Sequence, residues 1–283
     1  MPSTVSDIRL EVWGDPIAHS RSPQLHGAAY RALGLDWAFE RRRVDEGGFA
    51  DALASLDARW RGLAVTMPLK AQAFRAAGRR CRRAELTGAV NTLSFGASGE
   101  RLSSPDGHNT DVGGIVRALE ELGIAAAATA RIVGAGATAA SALVALGEMG
   151  AERVEVVARR PEAVAPLAAI GERAGMVVVA APFDAPHAAV DLTVATLPGG
   201  TALPAAHGEA LAAAGGTLFD AAYAPWPSAL AAAWPAGAAH SGLGMLLHQA
   251  VLQVRVFVAG DVEAELPDEA AVVAAMRSAL MGD

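Results

Sequence analysis

Residues 130–150 read ARIVGAGATAASALVALGEMG. The apolar, β-branched run predicts a strand over 130–133, and the glycine turn that follows opens an apolar helix predicted over 137–149. The next strand is predicted at 154–158. A strand, a helix and a second strand at this spacing are typical of a βαβ unit, which indicates an α/β domain with a parallel sheet.

The turn between the first strand and the helix has the form Gly134-x-Gly136-x-x-Ala139, with Ala137 at the helix start. Glycines let the backbone approach a pyrophosphate closely, and a helix N-terminus offers free N–H groups and the positive end of its dipole. In this strand–turn–helix setting, the pattern predicts a dinucleotide-binding site. The alternative is a tight turn in an α/β domain that binds no nucleotide.

Arg159 and Arg160 follow the strand predicted at 154–158. An NAD site commonly has an acidic residue there, which binds the ribose 2′-hydroxyl, and this position lacks one. A guanidinium fork instead matches the oxygens of a 2′-phosphate. NADP is therefore the favoured cofactor, and the alternative is that both are ordinary surface residues of an arginine-rich chain.

Strands and helices also alternate on both sides of this segment. Upstream, strands are predicted at 8–14, 37–44, 62–66 and 88–95, helices at 22–33 (with Ser22 as N-cap and Pro23 first in the helix), 48–56, 71–77 and 112–122, and a turn at 96–99. Downstream, strands are predicted at 176–180, 192–195 and 218–219, and helices at 205–214, 242–258 and 268–280. The alternation indicates largely parallel α/β sheets, and 283 residues suggest two domains.

The composition excludes several classes of protein. A 52% hydrophobic content is too high for a disordered chain, and a net charge of −7 argues against a dedicated nucleic-acid binder. The arginines within 79–83 are expected to form a solvated helix end. The single cysteine, Cys81, cannot form an internal disulfide, and neither an apolar leader nor an uninterrupted membrane-length apolar stretch is found. We therefore expect a cytoplasmic protein that does not span a membrane.

Lys70 is the only lysine in the chain, against 22 arginines. An ordinary surface cation would be expected as arginine in such a sequence. An amine can release a proton near neutral pH when its surroundings favour it, whereas a guanidinium does not. Lys70 is therefore predicted to act in acid–base chemistry. The alternative is that this lysine occurs by chance at the start of a helix and has no chemical role.

Asp111 and Asn91 are the other candidates for a polar site. Asp111 precedes the helix predicted at 112–122, so it is either the N-cap of that helix or a functional carboxylate. Asn91 falls within an apolar strand, where an unpaired amide is costly to bury. It is expected either to bond a neighbouring loop or to bind a polar ligand.

Seven motifs, in this order, resemble the shikimate dehydrogenase family over essentially the whole chain. They are GDPIAHSRSP (14–23), VTMPLK (65–70), GAVNTL (88–93), NTD (109–111), GAG (134–136), DAAYAP (220–225) and GMLLHQ (244–249). Each motif alone is weak, but their common order is specific.

The resemblance implies reversible NADPH-dependent reduction of 3-dehydroshikimate to shikimate, with Lys70 and Asp111 as the catalytic pair. It implies that substrate is bound by Ser20, Ser22, Thr66, Asn91, Gln249 and Tyr223, and NADP by Gly134, Gly136, Ala137, Arg159, Arg160, Thr196 and Gly242. Helix capping is the alternative for the two serines, exposure to solvent for Gln249 and core packing for Tyr223. No metal site is expected.

The resemblance also implies an N-terminal α/β substrate-binding domain over 1–110, to which 243–283 returns, and a Rossmann NADP-binding domain over 111–242. A homodimer is left open. The chain departs from the family pattern at Ala64 and Ala158, where asparagine is usual, and in the loop 194–200. The alternatives are a quinate/shikimate dehydrogenase of broader range, a non-catalytic NADP-sensing relative, and another NADP dehydrogenase with the same two-domain plan.

Overall fold

The chain divides into two compact units, one formed by Met1–Thr110 with Leu247–Asp283 and the other by Asp111–Leu246. The computed structural model describes residues 8–96 and 104–282. The predicted second boundary, at 242/243, lies four residues before the observed one. Which ligand each unit binds stays a prediction.

The first unit is built around a mixed sheet. In chain order, the elements are β1 (Arg9–Gly14), α1 (Ser22–Ala32), β2 (Ala38–Arg43), α2 (Phe49–Ala54), β3 (Trp60–Val65), α3 (Lys70–Ala76), β4 (Arg79–Arg80), α4 (Arg82–Thr87), β5 (Thr92–Ser94), β6 (Asp106–His108) and α5 (Thr110–Glu121), the last of which continues into the second unit. The strand order is β2-β1-β3-β5-β6-β4. All neighbouring strands are parallel except that β5 is antiparallel to both β3 and β6.

The second unit contains a fully parallel sheet within the described residues. Its elements are β7 (Thr129–Val133), α6 (Ala137–Glu148), β8 (Arg153–Val157), α7 (Ala165–Ala174), β9 (Val177–Ala181), β10 (Leu192–Ala195), α8 (Ala205–Ala213), β11 (Thr217–Asp220) and β12 (Ala239–Ser241), followed by α9 (Leu243–Ala259), which returns to the first unit, and α10 (Glu269–Met281). The strand order is β12-β11-β10-β7-β8-β9. This is the doubly wound Rossmann order, in which ligands bind at the carboxyl ends of the strands beside the central reversal.

Helix α9 packs tightly in the first unit. Gly62 lies on β3, and a Cβ atom there would stand 2.4 Å from the ring of Phe257, so only glycine allows this approach. The guanidinium of Arg61 donates to the carbonyl oxygens of Phe257 and Val258. Polar groups of α9 are thereby held at fixed places against the sheet. No helix in the described part of the chain is long and apolar enough to cross a membrane.

Several local predictions are corrected by the structure. Arg79 and Arg80 form strand β4 rather than a helix end, and Arg80 stacks over the ring of Phe74 with 4.4 Å between the guanidinium carbon and the ring centroid. The strand predicted at 88–95 shrinks to β5, because Gly88 in a left-handed conformation ends helix α4 first. Most of the turn predicted at 96–99 lies outside the described residues.

Candidate active site

The two serines predicted to bind the substrate lie where the loop after β1 meets α1. The predicted N-cap role of Ser22 is wrong, since Ser22 is itself the first helical residue and follows Arg21. The backbone N–H of Ser22 donates to Oγ of Ser20 at 3.3 Å, so the capping contact comes from Ser20. Ser22 is buried and Ser20 is half-buried.

Thr66 and Lys70 follow strand β3. The N–H of Thr66 donates to the carbonyl oxygen of Trp13 at 2.9 Å, which ties the ends of β3 and β1 together. A Cβ atom on Gly14 would stand 2.5 Å from Cγ2 of Thr66, so glycine is required for this approach. Lys70 is the first residue of α3 and is half-buried, and its carbonyl oxygen accepts from the N–H of Val90 at 3.1 Å.

Asn91 is 2% exposed and precedes β5 rather than lying inside a strand. Its Oδ1 accepts from the N–H of Thr110 at 2.8 Å and from the hydroxyl of Thr92 at 3.0 Å. Its Nδ2 donates to Oγ1 of Thr110 at 2.9 Å. The expectation that this amide bonds a neighbouring segment is thus met by Thr110, which begins α5.

Asp111 is the second residue of α5, so the predicted N-cap role is wrong. Its side chain is buried, at 4% exposure. A carboxylate in the first turn of a helix is stabilised by the positive end of the helix dipole. Gln249 of α9 is also buried, at 8% exposure, so the alternative of a solvent-facing residue is wrong.

Strand topology brings four of these predicted site segments to one end of the first sheet. β1 and β3 are parallel, so the segments of Ser20 and Thr66 follow strand ends on the same side. β5 is antiparallel to β3, so Asn91, which precedes it, reaches that same side, where its carbonyl oxygen accepts from the N–H of Val65 at 2.7 Å. β6 is antiparallel to β5, so Thr110 arrives there as well.

A cavity of about 870 Å³ lies at the carboxyl ends of the central strands of the second unit. Gly134 and Gly136 line it, together with Arg159 and Arg160, whose side chains are exposed. A volume of this size suits a nucleotide. Four of the seven residues predicted to bind the cofactor thus line this cavity.

The two glycines fit a pyrophosphate for different reasons. Gly134 has a φ of +117°, and a Cβ atom there would stand 2.5 Å from Oγ1 of Thr196. Gly136 has open space where its Cβ atom would be, and as the N-cap residue of α6 it has no side chain to cover the N–H groups of the first turn. Ala137, the first residue of that helix, is exposed. The helix N-terminus is thus accessible to an anion.

Three other predicted residues lie at strand ends or loops of the second unit. The hydroxyl of Thr196 donates to the carbonyl oxygen of Val133, which directly precedes the glycine turn, so Thr196 stabilises that turn. Gly242 approaches Ala221 so closely that a Cβ atom would stand 2.2 Å from its carbonyl oxygen. Tyr223 is half-buried in the loop after β11, so the alternative of core packing is not what the structure shows.

The loop of Tyr223 is fixed by Asp220, a residue for which no role was predicted. Asp220 ends β11, and its carboxylate accepts from the N–H of Ala222 at 2.9 Å and from the hydroxyl of Ser228 at 2.5 Å. Burial raises the pKa of Asp220 above its usual range, and the bond from Ser228 opposes this. Phe183 and His207, whose rings stack 5.8 Å apart, also line the nucleotide-sized cavity and were missed.

Among the described residues, no group of three or more His, Cys, Asp or Glu side chains is positioned to hold a metal ion.

Comparisons with known proteins agree with the motif order. The family model of the shikimate dehydrogenase substrate binding domain matches residues 12–93. A shikimate dehydrogenase (NADP(+)) of Methylobacterium radiotolerans is 40% identical over 258 residues, which cover 88% of this chain and 90% of that protein. Its counterpart in Bordetella avium is 35% identical over 216 residues, or 70% of this chain and 74% of that protein.

Solved structures extend the likeness to the fold. The crystal structure of Mycobacterium tuberculosis shikimate dehydrogenase matches with a TM-score of 0.83 and 39% identity, over 96% of this chain and 99% of that one. The shikimate 5-dehydrogenase of Thermus thermophilus, solved in complex with NADP(H) and shikimate, matches with a TM-score of 0.75 and 28% identity, over 96% and 99%. The likeness therefore spans both compact units.

Proposed function

The chain belongs to the shikimate dehydrogenase family, and on that premise we propose that it interconverts 3-dehydroshikimate and shikimate with NADP(H). The observation that carries the proposal is the convergence of Thr66, Lys70 and Asn91 at one end of the first sheet. The proposal is also supported by a relative named for this activity, which is 40% identical over a match that covers 90% of that relative.

The first unit offers groups suited to a small hydroxylated acid. The hydroxyls of Ser20 and Ser22 lie at the start of α1, where the helix dipole favours a carboxylate. Thr66, Asn91 and Gln249 supply hydroxyl and amide groups for the ring hydroxyls. Two retained serines favour shikimate over quinate, whose additional hydroxyl sits on the carbon that bears the carboxylate.

Lys70 is proposed as the general acid of ketone reduction. NADPH, when bound, would supply a hydride for the ketone carbon. The Lys70 ammonium donates a proton to the ketone oxygen, which becomes the hydroxyl, and the amine regains a proton from water. In the reverse direction, the neutral amine accepts the hydroxyl proton. Asp111, a buried carboxylate, is proposed to hold the ammonium in place.

The cavity of the second unit is proposed as the NADP site. Gly134, Gly136 and Ala137 would hold the pyrophosphate at the start of α6. The guanidinium groups of Arg159 and Arg160 would bind the 2′-phosphate, whose oxygens match their geometry. Thr196, Gly242 and the segment of Tyr223 would shape the remaining cofactor and substrate contacts. A homodimer and a cytoplasmic location stay predictions.

An activity panel tests the proposal. The purified protein is mixed with NADP⁺ or NAD⁺ and with shikimate or quinate, and reduced cofactor is followed by absorbance. The expected result is turnover with NADP⁺ and shikimate, at a kcat/KM at least about tenfold above every other pairing. Cofactor binding without turnover of either acid would instead indicate a non-catalytic relative, and equal turnover of quinate would indicate a broader enzyme.

A further inference from the structure

Three buried polar side chains lie behind Asn91 and have no part in the proposed chemistry. His26 and Tyr30 are on α1, and Gln253 is on α9, with exposures of 0%, 1% and 2%. His26 stacks on Phe39 with 3.9 Å between ring centroids, so the surroundings are apolar. Leaving a polar group unpaired at such depth costs free energy, so most polar side chains buried this deeply have a hydrogen-bond partner.

Hydrogen bonds link these side chains in series, and the series ends at Asn91. The hydroxyl of Tyr30 lies 3.1 Å from Nδ1 of His26, and Nε2 of His26 lies 3.1 Å from Oε1 of Gln253. Nε2 of Gln253 donates to Oγ1 of Thr92 at 3.1 Å and to the carbonyl oxygen of Asn91 at 3.2 Å. The hydroxyl of Thr92 then donates to Oδ1 of Asn91.

Each side chain in this series of hydrogen bonds donates toward Asn91. The Gln253 amide nitrogen faces two acceptors, so its oxygen must accept from His26, whose proton is therefore on Nε2. Nδ1 of His26 then accepts from the hydroxyl of Tyr30. Burial lowers the pKa of His26 to about 3, so this neutral form persists at ordinary pH.

The direction of donation fixes the amide of Asn91. Thr92 accepts from Gln253 and therefore turns its own proton toward Oδ1 of Asn91. A flipped Asn91 amide would set its NH₂ group against that proton and against the N–H of Thr110. Only one orientation of the Asn91 amide thus satisfies all its neighbours.

We propose that Gln253 is a positioning residue for the substrate site, which acts through Thr92 to hold the Asn91 amide in the one orientation that binds the substrate. The inference rests on the proposed function of Asn91. Gln249, proposed to bind the substrate directly, lies one helical turn earlier on α9. One helix thus supplies both a direct contact and the group that orients a second one.

The variant Gln253→Met tests the proposal, since it keeps the length of the side chain and removes its hydrogen bonds. Loss of the amide is expected to raise the KM for shikimate about tenfold while the KM for NADP⁺ stays within about twofold. Arg255→Met is the matched control, because Arg255 is equally buried on the same helix and pairs with Glu269 instead. It is expected to lower the melting temperature without changing the KM for shikimate.

A double-mutant cycle separates positioning from general stability. If Gln253 acts through Asn91, the change Gln253→Met adds nothing to the KM for shikimate in an Asn91→Ala background. A multiplicative effect in that background, or a wild-type KM in Gln253→Met, would overturn the proposal. So would an equal rise of KM in the Arg255→Met control.

A second variant keeps the test decisive if Gln253→Met does not fold. Thr92→Val preserves volume and removes the hydroxyl that links Gln253 to Asn91, so the same rise in the KM for shikimate is expected. An unchanged KM there would contradict the inference. A wild-type protein that turns over neither acid would instead refute the proposed function itself, which distinguishes the two failures.

Discussion

Asn91 and Thr110 hold each other through reciprocal hydrogen bonds across 19 residues of sequence. The backbone N–H of Thr110 donates to Oδ1 of Asn91 at 2.8 Å, and Nδ2 of Asn91 donates back to Oγ1 of Thr110 at 2.9 Å. Thr110 is the first residue of α5 and Asp111 is the second. Asn91 therefore fixes the start of the helix that carries the proposed partner of Lys70.

The change Asn91→Ala is expected to reduce both stability and substrate binding. It leaves the buried N–H and hydroxyl of Thr110 without their partner, which should lower the free energy of unfolding by about 1–3 kcal/mol. The KM for shikimate should rise about tenfold or more through loss of a substrate contact. Chemical denaturation and steady-state kinetics measure the two effects.

Thr193→Val is the control for this change. Thr193 is fully buried in the second unit and donates to the carbonyl oxygen of Gly215 at 2.7 Å. Its replacement should lower stability and leave the KM for shikimate unchanged. A normal KM for shikimate in Asn91→Ala would refute a binding role for this amide.

Arg159 and Arg160 should decide between the two nicotinamide cofactors. Alanine at both positions removes the cations proposed for the 2′-phosphate, so the KM for NADP⁺ should rise by about tenfold to a hundredfold. The KM for NAD⁺, which lacks that phosphate, should change by less than about twofold. Arg153, exposed at the opposite end of β8, provides the control substitution Arg153→Ala. An equal loss for both cofactors would contradict the assignment.

His26 should make the protein less stable in acid. Its folded pKa of about 3 lies below the ordinary value of 6.5 because burial disfavours the imidazolium. As the pH falls below 6.5, the unfolded chain therefore takes up a proton that the folded protein does not, and stability is lost until about pH 3.

The expected loss from this residue between pH 7 and pH 5 is about 2 kcal/mol. Denaturation of the wild type and of His26→Gln at both pH values measures it, since glutamine cannot titrate. The wild type should lose that much more stability than the variant over this interval. Parallel pH dependences would show that His26 titrates normally.

Local sequence patterns were sufficient for the central part of the fold. The strand, glycine turn and helix of 130–150 were predicted because their periodicity is contained within a few neighbouring residues. β6 and β12 were missed, since three residues are too few for a period to be recognised. Their place in the sheets is set by strand pairing between distant segments.

The candidate site was only partly predictable for the same reason. Lys70 could be singled out by composition, because a lone lysine among arginines is visible in the sequence. The link from Gln253 to Asn91 spans 162 residues and depends on how α9 packs against the sheet. One signal was available, since a glutamine one turn after Gln249 stands in an apolar helix and must find a partner.

Lys70→Arg tests the central claim most directly, because the positive charge stays while the transferable proton is lost. Arg75→Ala, an exposed cation on the same helix, is the control and should keep wild-type turnover. The kcat for shikimate oxidation by Lys70→Arg should fall by roughly 10²–10⁴-fold, with the KM for shikimate changed far less. A near-normal kcat in Lys70→Arg would show that another group transfers the proton and would contradict the proposed mechanism.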